Sequence, residues 1–358
     1  MKEKPVTGPA RRTARHKRVN IALQGGGAHG AFTWGVLDRF FEDDRIWIDN
    51  ISGTSAGAMN MVVAAHGMFE GGAEGARQKL HEFWRAVSDA ARASPIQRTP
   101  WAKATGDWSL DSSPAFVMMS MLQRVASPYD LNPLGYDPLR DIVEEVVDFQ
   151  KVRGCRDMGV FLSATNVQTG QVRVFTGDEV TLDATMASAC LPQMFQAVEI
   201  DKVPYWDGGF IVNPPIIPLI SGAESDDIMI VQINPVVREG TPKTAADIQN
   251  RMNEITFNAS LLHQLRAIYT VKSLIARGKL SAKEERDLHI HIVHANDQMV
   301  DLDASSKMNA EWDFLMHLFE IGRATATDWL DAHFDDIGKR STVDLDEMFA
   351  HLNLQPYA

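Results

Sequence analysis

Cysteine is nearly missing from this chain. Only Cys155 and Cys190 occur among 358 residues, too few for a disulfide framework or a four-thiolate zinc site. A reducing compartment is the simplest home. Long apolar runs are missing too: no stretch approaches the ~20 residues that span a bilayer. The N-terminus is not followed by the roughly 7–15 apolar residues of an export signal, which predicts a cytoplasmic protein. Positive charge is outweighed by negative outside the first 18 residues. There Lys2, Lys4, Arg11, Arg12, Arg15, Lys17 and Arg18 face only Glu3, a formal +6; the whole chain carries −12, so residues 19–358 carry −18. An acidic body argues against a nucleic-acid-binding surface. The basic arm either suits anionic lipid headgroups, at about 1 kcal/mol per basic residue, or is a solvated, disordered tail.

What is present is enough apolar material for a sizeable core, 45% of residues, with no sign of global disorder. Length alone allows one large domain or two smaller ones. Val19 to Gln24 reads as a short buried strand, ended by Gly25-Gly26-Gly27. Ala31 to Phe41 has apolar residues at helical spacing. Ile46 to Ile51 is a second strand, Ser52 to Gly57 a turn, and Ala56 to His66 a helix of small apolar residues. This β-turn-α-β-turn-α opening predicts an α/β fold with a parallel sheet covered by helices. Further on, helices are expected over residues 74–92, 137–149, 181–189, 245–276 and 304–333. Strands are expected over 160–166 and 171–175, joined as a hairpin by Gln168-Thr169-Gly170, and over 228–234 and 288–294. Residues 93–134 are rich in Pro, Trp and Met and read as an insertion. It is either a lid or acyl wall, since Met adapts to apolar surfaces, or ordinary core helices. With no repeat and no low-complexity linker, one domain over 19–358 behind a tail at 1–18 is expected.

Three motifs carry chemistry. The loop Gln24-Gly25-Gly26-Gly27-Ala28-His29-Gly30 lies between a strand and a helix. Its glycines let the backbone approach a ligand, and the helix start aims free N–H groups and a positive dipole end at it, making an anion trap. Gly25-x-Gly27-x-x-Gly30 also fits a dinucleotide fingerprint. That reading needs an acid at the end of the second strand, and Asp49 falls inside that strand instead. The second motif, Gly53-Thr54-Ser55-Ala56-Gly57, matches G-x-S-x-G at a strand-to-helix turn, where small flanking residues permit an exposed hydroxyl. Otherwise Ser55 is simply a helix N-cap. The third, Asp207-Gly208-Gly209, ends a short apolar stretch and by itself marks a turn.

A serine hydroxyl needs a base. An α/β-hydrolase would supply a late histidine, His289, His291 or His294, but that fold places its nucleophile after several strands, whereas Ser55 follows two. Taken together and in order, G-G-G-x-x-G, G-x-S-x-G and D-G-G resemble the patatin-like phospholipase family. The resemblance runs from about Val19 to Asn234 and includes Ala187-Ser188-Ala189-Cys190-Leu191-Pro192. It implies a three-layer α/β/α fold with a mostly parallel central sheet, and a Ser–Asp dyad that uses no histidine, metal or cofactor. Ser55 is then the nucleophile and Asp207 the base. Backbone N–H groups of Gly26, Gly27 and Ala28 are the oxyanion donors, supported by Gly25, Gly30, Gly53, Gly57, Gly208 and Gly209. The sequence departs at His29, where the family usually has Arg or Lys, so no fixed positive charge is expected there.

The activity so implied is lipid acyl hydrolysis of the phospholipase A or lysophospholipase kind, on a lipid or other apolar ester. Two other readings stand beside it: a Ser-His-Asp esterase, and a non-catalytic lipid-binding protein of the same fold. The sequence is silent on oligomeric state.

Overall fold

Strand β1 (Lys17–Leu23) is the middle one of five parallel strands. The computed structural model describes residues 16–221, 224–281 and 286–349, so residues 1–15 of the basic tail lie outside the described part. Parallel to β1 run β2 (Ile46–Gly53) on one side and β7 (Asp227–Val231) on the other. Beyond them lie β3 (Gly159–Asn166) and β8 (His289–Val293), also parallel. Val19 to Leu23 are buried throughout, as expected of a parallel strand covered on both faces. Three further strands, β4 (Val172–Thr176), β5 (Val198–Ile200) and β6 (Val203–Asp207), are antiparallel additions.

Alternation along the strands sorts side chains to two faces. Ile21, Leu23, Met229, Val231 and Val293 join the core under helices α1 (Gly30–Glu42), α2 (Ala56–Ala91) and α5 (Trp312–His333). Ala22, Ile228, Ile230 and Ile290 face Leu261, Leu265 and Ile268 of helix α4 (Ala245–Ala276). Helix, sheet, helix: this is the three-layer α/β/α arrangement. Each large apolar side chain so buried is worth about 1.5–3 kcal/mol. The remaining helix needed here, α3 (Leu182–Ser188), packs near β3 and β6.

The register of β3 decides where Asp207 lies. Leu162 pairs with Phe175 of β4 on one edge and Gly53 of β2 on the other. Thr165 pairs with Val172 of β4 and with Trp206 of β6. A strand has two edges, so β6 takes over from β2 along the same edge of β3. Ala164, opposite Asp207, is two residues beyond Leu162, opposite Gly53. Asp207 is therefore set about 7 Å further along that edge, just past the end of β2.

Most expected elements are found, with two differences. The helices expected over 56–66 and 74–92 are the two arms of α2, which meet at a kink where Gly71 and Gly72 have non-helical backbone angles. The helix expected from Ala304 begins only at Trp312. A 3-10 turn covers Ala304–Met308, and the Asn309 side chain then accepts from Glu311 N at 3.0 Å, holding the chain out of the helix. The helix expected over 137–149 breaks after Val146, and Asp148 caps a new turn by accepting from Gln150 N at 2.9 Å. The 93–134 segment contributes no strand; it forms three short helices, Pro100–Thr105, Pro114–Leu122 and Pro128–Leu131. Its first part is anchored. Arg98 pairs with Glu311 at 2.8 Å and stacks on Trp108, and Leu110 is buried. No helix among the described residues is long and apolar enough to cross a membrane.

Candidate active site

Strand β2 delivers Gly53-Thr54-Ser55 to the start of α2. Ser55 has φ 55° and ψ −122°, a left-handed conformation costing a non-glycine residue about 1–3 kcal/mol. Its surroundings impose it. Gly57 N donates to Thr54 O at 2.9 Å, Ser55 N to Ser188 Oγ of α3 at 3.0 Å, and Thr54 Oγ1 to Val212 O at 3.0 Å. Gly53 and Gly57 lie so close that a Cβ on Gly53 would come within 2.5 Å of the Gly57 carbonyl carbon. Ser55 occupies the N-cap position, yet its side chain accepts no capping hydrogen bond. Ser55 is half-buried, and its hydroxyl is not spent on capping the helix.

The glycine loop lies directly against this turn. A Cβ on Gly25 would sit 2.6 Å from Thr54 O and 2.7 Å from Ser55 Cβ, so only glycine lets the loop come this near. Gly30 abuts the Ala56 methyl, and Gly27 has φ 59°. Among the described residues, the N–H groups of Gly26, Gly27 and Ala28 donate to no protein acceptor. Gly25 N, by contrast, donates to Asn213 Oδ1 at 2.7 Å. Asp49 lies inside β2 and pairs with Arg18 at 2.8 Å; the acid that a bound ribose would require at the strand end is not there.

Asp207 ends β6 and is 1% exposed. Its backbone is fixed by Cys190 O, which accepts from its N–H at 2.8 Å, and by Thr165 Oγ1, which donates to its carbonyl at 2.8 Å. Oδ1 accepts from Gly209 N at 2.7 Å, while Gly208 packs on Ser163. Oδ2 is buried with no hydrogen-bond partner. Desolvation raises the Asp207 pKa to about 6, tempered by the Gly209 N–H and the nearby Ser55 hydroxyl. Ser55 is thus close enough to stabilise the carboxylate, without a hydrogen bond of ordinary geometry to Oδ2; such contacts commonly tighten only when substrate arrives.

The late histidines are elsewhere. β8 lies beyond β1 and β7 from β2. There His291 is fully buried, with Asp227 Oδ1 at 2.9 Å and Thr342 Oγ1 at 3.1 Å. His289 points at the same Asp227 at 3.3 Å, and His294 Nδ1 accepts from Asn296 N. A cavity of about 1130 Å³ lined by His294, Gln232 and Trp329 contains neither Ser55 nor Asp207. None of these histidines hydrogen-bonds to Ser55 or Asp207.

Two residues at the site were given no role by the sequence. Gln24 Oε1 accepts from Ile233 N at 2.9 Å and Asn234 N at 3.0 Å, and its Nε2 donates to Asn258 Oδ1 at 3.0 Å. These bonds tie the loop to β7 and α4. Lys307 is the other. The residue as a whole is half-buried, and its carbonyl oxygen crowds Gly27. Its ammonium is enclosed: Nζ donates to Asn234 Oδ1 at 2.7 Å and Asn253 Oδ1 at 2.6 Å, with the Phe257 ring 5.2 Å away. Burial lowers its pKa to about 8. His29 is buried against Ser306 Oγ at 2.7 Å, and desolvation, then Lys307, hold its pKa well below the usual histidine value. The cation beside the loop at neutral pH is therefore Lys307, and His29 is neutral.

A family model described as patatin-like phospholipase matches residues 21–220. Among solved structures, VipD from Legionella pneumophila is 13% identical, with 86% of this chain and 67% of that chain covered and a TM-score of 0.36. ExoU in its complex with SpcU, from Pseudomonas aeruginosa, is 15% identical, with 90% and 52% covered and a TM-score of 0.34. The chain spans about half the length of that ExoU chain. No curated protein matches the sequence significantly. Because the family match covers more than half of its residues and contains all three motifs, this chain belongs to the patatin-like phospholipase family.

Proposed function

We propose that the protein hydrolyses lipid esters with Ser55 as nucleophile and Asp207 as its base. The observation that carries this reading is the pairing of a hydroxyl on a strained turn with a buried carboxylate whose outer oxygen has no partner. An ordinary aspartate is a poor base; one desolvated until its pKa is about 6 is still ionised at neutral pH and holds a proton more tightly. Ser55 Oγ attacks the ester carbonyl carbon and its proton passes to Asp207. The N–H groups of Gly26, Gly27 and Ala28 receive the oxyanion; such donors are worth about 3–4 kcal/mol each. The bond to the alcohol breaks as Asp207 returns the proton to the leaving oxygen. Water then attacks the acyl-serine as Asp207 takes its proton; the acyl bond to Ser55 Oγ breaks, Asp207 returns the proton to that oxygen, and the fatty acid leaves. Lys307 adds positive charge next to the loop, where His29 adds none. The chemistry calls for no metal and no cofactor.

Ser55→Ala is expected to abolish both ester hydrolysis and fluorophosphonate labelling while the protein stays folded. Phosphatidylcholine, a lysophospholipid, an acylglycerol and p-nitrophenyl esters of several chain lengths form the substrate panel. Labelling at another residue, or equal turnover by the variant, would refute the assignment. A lipid-binding protein without catalysis would leave Ser55 unlabelled in the parent chain.

A further inference from the structure

The second half of the insertion has the composition of a core and the exposure of a surface. Helix Pro114–Leu122, with the sequence PAFVMMSML, has no buried residue. Met118 and Met121 in the helix and Val125, Leu134 and Tyr136 after it are exposed, Val125 at 83% and Leu134 at 94%, as is Trp101 earlier in the insertion. Single exposed apolar residues are ordinary, but a cluster of this density marks a surface that meets something apolar. Charge narrows the choice of occupant. Residues 113–136 contain two charged side chains, Arg124 and Asp130, and Asp130 is engaged by Ser127 at 2.6 Å. The segment has no net charge with which to seek an anionic membrane or a charged protein. A second copy of the chain would bring together two bodies of formal charge −12, which repel.

The patch is also continuous with the site. Tyr129 Oη accepts from Ala197 N at 3.2 Å, and Gln196 Nε2 donates to Asn132 O at 2.8 Å. Gln196 O accepts from Cys190 Sγ at 3.1 Å, and Cys190 O accepts from Asp207 N. Just past Gly209, Phe210 and Ile211 are themselves partly exposed.

We propose that residues 113–136, with Trp101, form the face by which the protein seats on a zwitterionic phospholipid surface. The apolar side chains enter the headgroup–acyl boundary as an interfacial helix does, which brings the adjoining site to the lipid. The choice of lipid as occupant rests on the lipid-hydrolase reading. Binding is therefore tested apart from catalysis, on the full chain carrying Ser55→Ala. Co-sedimentation with phosphatidylcholine vesicles is expected, undiminished by molar salt, and not strengthened by replacing the lipid with phosphatidylglycerol. Met118→Asp with Met121→Asp should lower the vesicle affinity about a hundredfold. In the Ser55 parent the same pair should leave hydrolysis of soluble p-nitrophenyl butyrate unchanged. As an independent measure, brominated phosphatidylcholine should quench a Trp emission that Trp101→Phe removes. No binding to phosphatidylcholine, binding confined to phosphatidylglycerol and lost in salt, or an affinity indifferent to the two aspartates would overturn the proposal. So would a dimer that the aspartates dissociate. A chain that binds vesicles through this face yet hydrolyses no ester would retain the docking surface and lose the hydrolase reading.

Discussion

Asp207 has to be buried and charged at once, and the two demands conflict. In the unfolded chain its carboxyl titrates at the ordinary 3.8; in the fold it titrates at about 6. The folded state thus holds the proton more tightly. The stability this brings is present below the unfolded value and is lost as pH rises through about 6, leaving a cost of about 3 kcal/mol at neutral pH. Asp207→Asn keeps an acceptor for the Gly209 N–H and removes the charge. It should melt higher than the parent at pH 7, by an increment that shrinks toward pH 4, while hydrolysing nothing. In the parent, kcat/KM should fall as pH drops through about 6. A variant that hydrolyses normally removes Asp207 from the mechanism. Lys307 sets the other limb, because its charge is lost above about pH 8. Lys307→Met should lower kcat/KM about tenfold to a hundredfold at neutral pH and flatten the alkaline fall. Lys307→Arg should restore most of the rate and move that fall to higher pH. A profile identical in all three proteins would make Lys307 purely structural.

At the scale of elements, β8 and the helices around it have their own use for histidine. His291 and His289 share Asp227, whose carboxyl is held below its usual value despite burial, chiefly by the His291 hydrogen bond. His291→Ala should cost about 2–4 kcal/mol, because it strips a buried carboxylate of a partner. It should leave kcat for a soluble ester within a small factor of the parent, as should His289→Ala and His294→Ala; thermal melts and initial rates check both halves. The opening βαβα was legible because it is local. Val19–Leu23 is apolar but for Asn20, α1 has a periodic apolar pattern, and glycines mark the turns between. The boundaries at Asn309 and Asp148 were missed because one side chain bonded to backbone decides each. Ser55 and Asp207 could be named from their motifs, but their proximity could not. It follows from β6 continuing the edge that β2 leaves, a fact of register between segments about 150 residues apart. Lys307 was invisible for the same reason, since 280 residues separate it from Gly27.

The whole molecule is larger than its matched segment. Residues 21–220 contain the glycine loop, Ser55 and Asp207, but not what holds them. β7 fills the edge of β1, α4 covers the second face of the sheet, and Phe257 of α4 packs against Gly209. A fragment ending at residue 220 would leave β1 with an open edge, an aggregation hazard, and Gln24 without Ile233, Asn234 or Asn258. It should be insoluble or unfolded and should fail to label with fluorophosphonate, whereas the full chain labels; a soluble, labelled fragment would contradict this. The network around Gln24 and Lys307 also sets an order of events during synthesis. Ser55 precedes Lys307 by 252 residues and Asp207 precedes it by 100, with Asn234 and Asn258 in between. An unfinished chain therefore carries Ser55 and Asp207 without the scaffold that holds the glycine loop, and the arrangement proposed for catalysis is complete only once Lys307 has emerged.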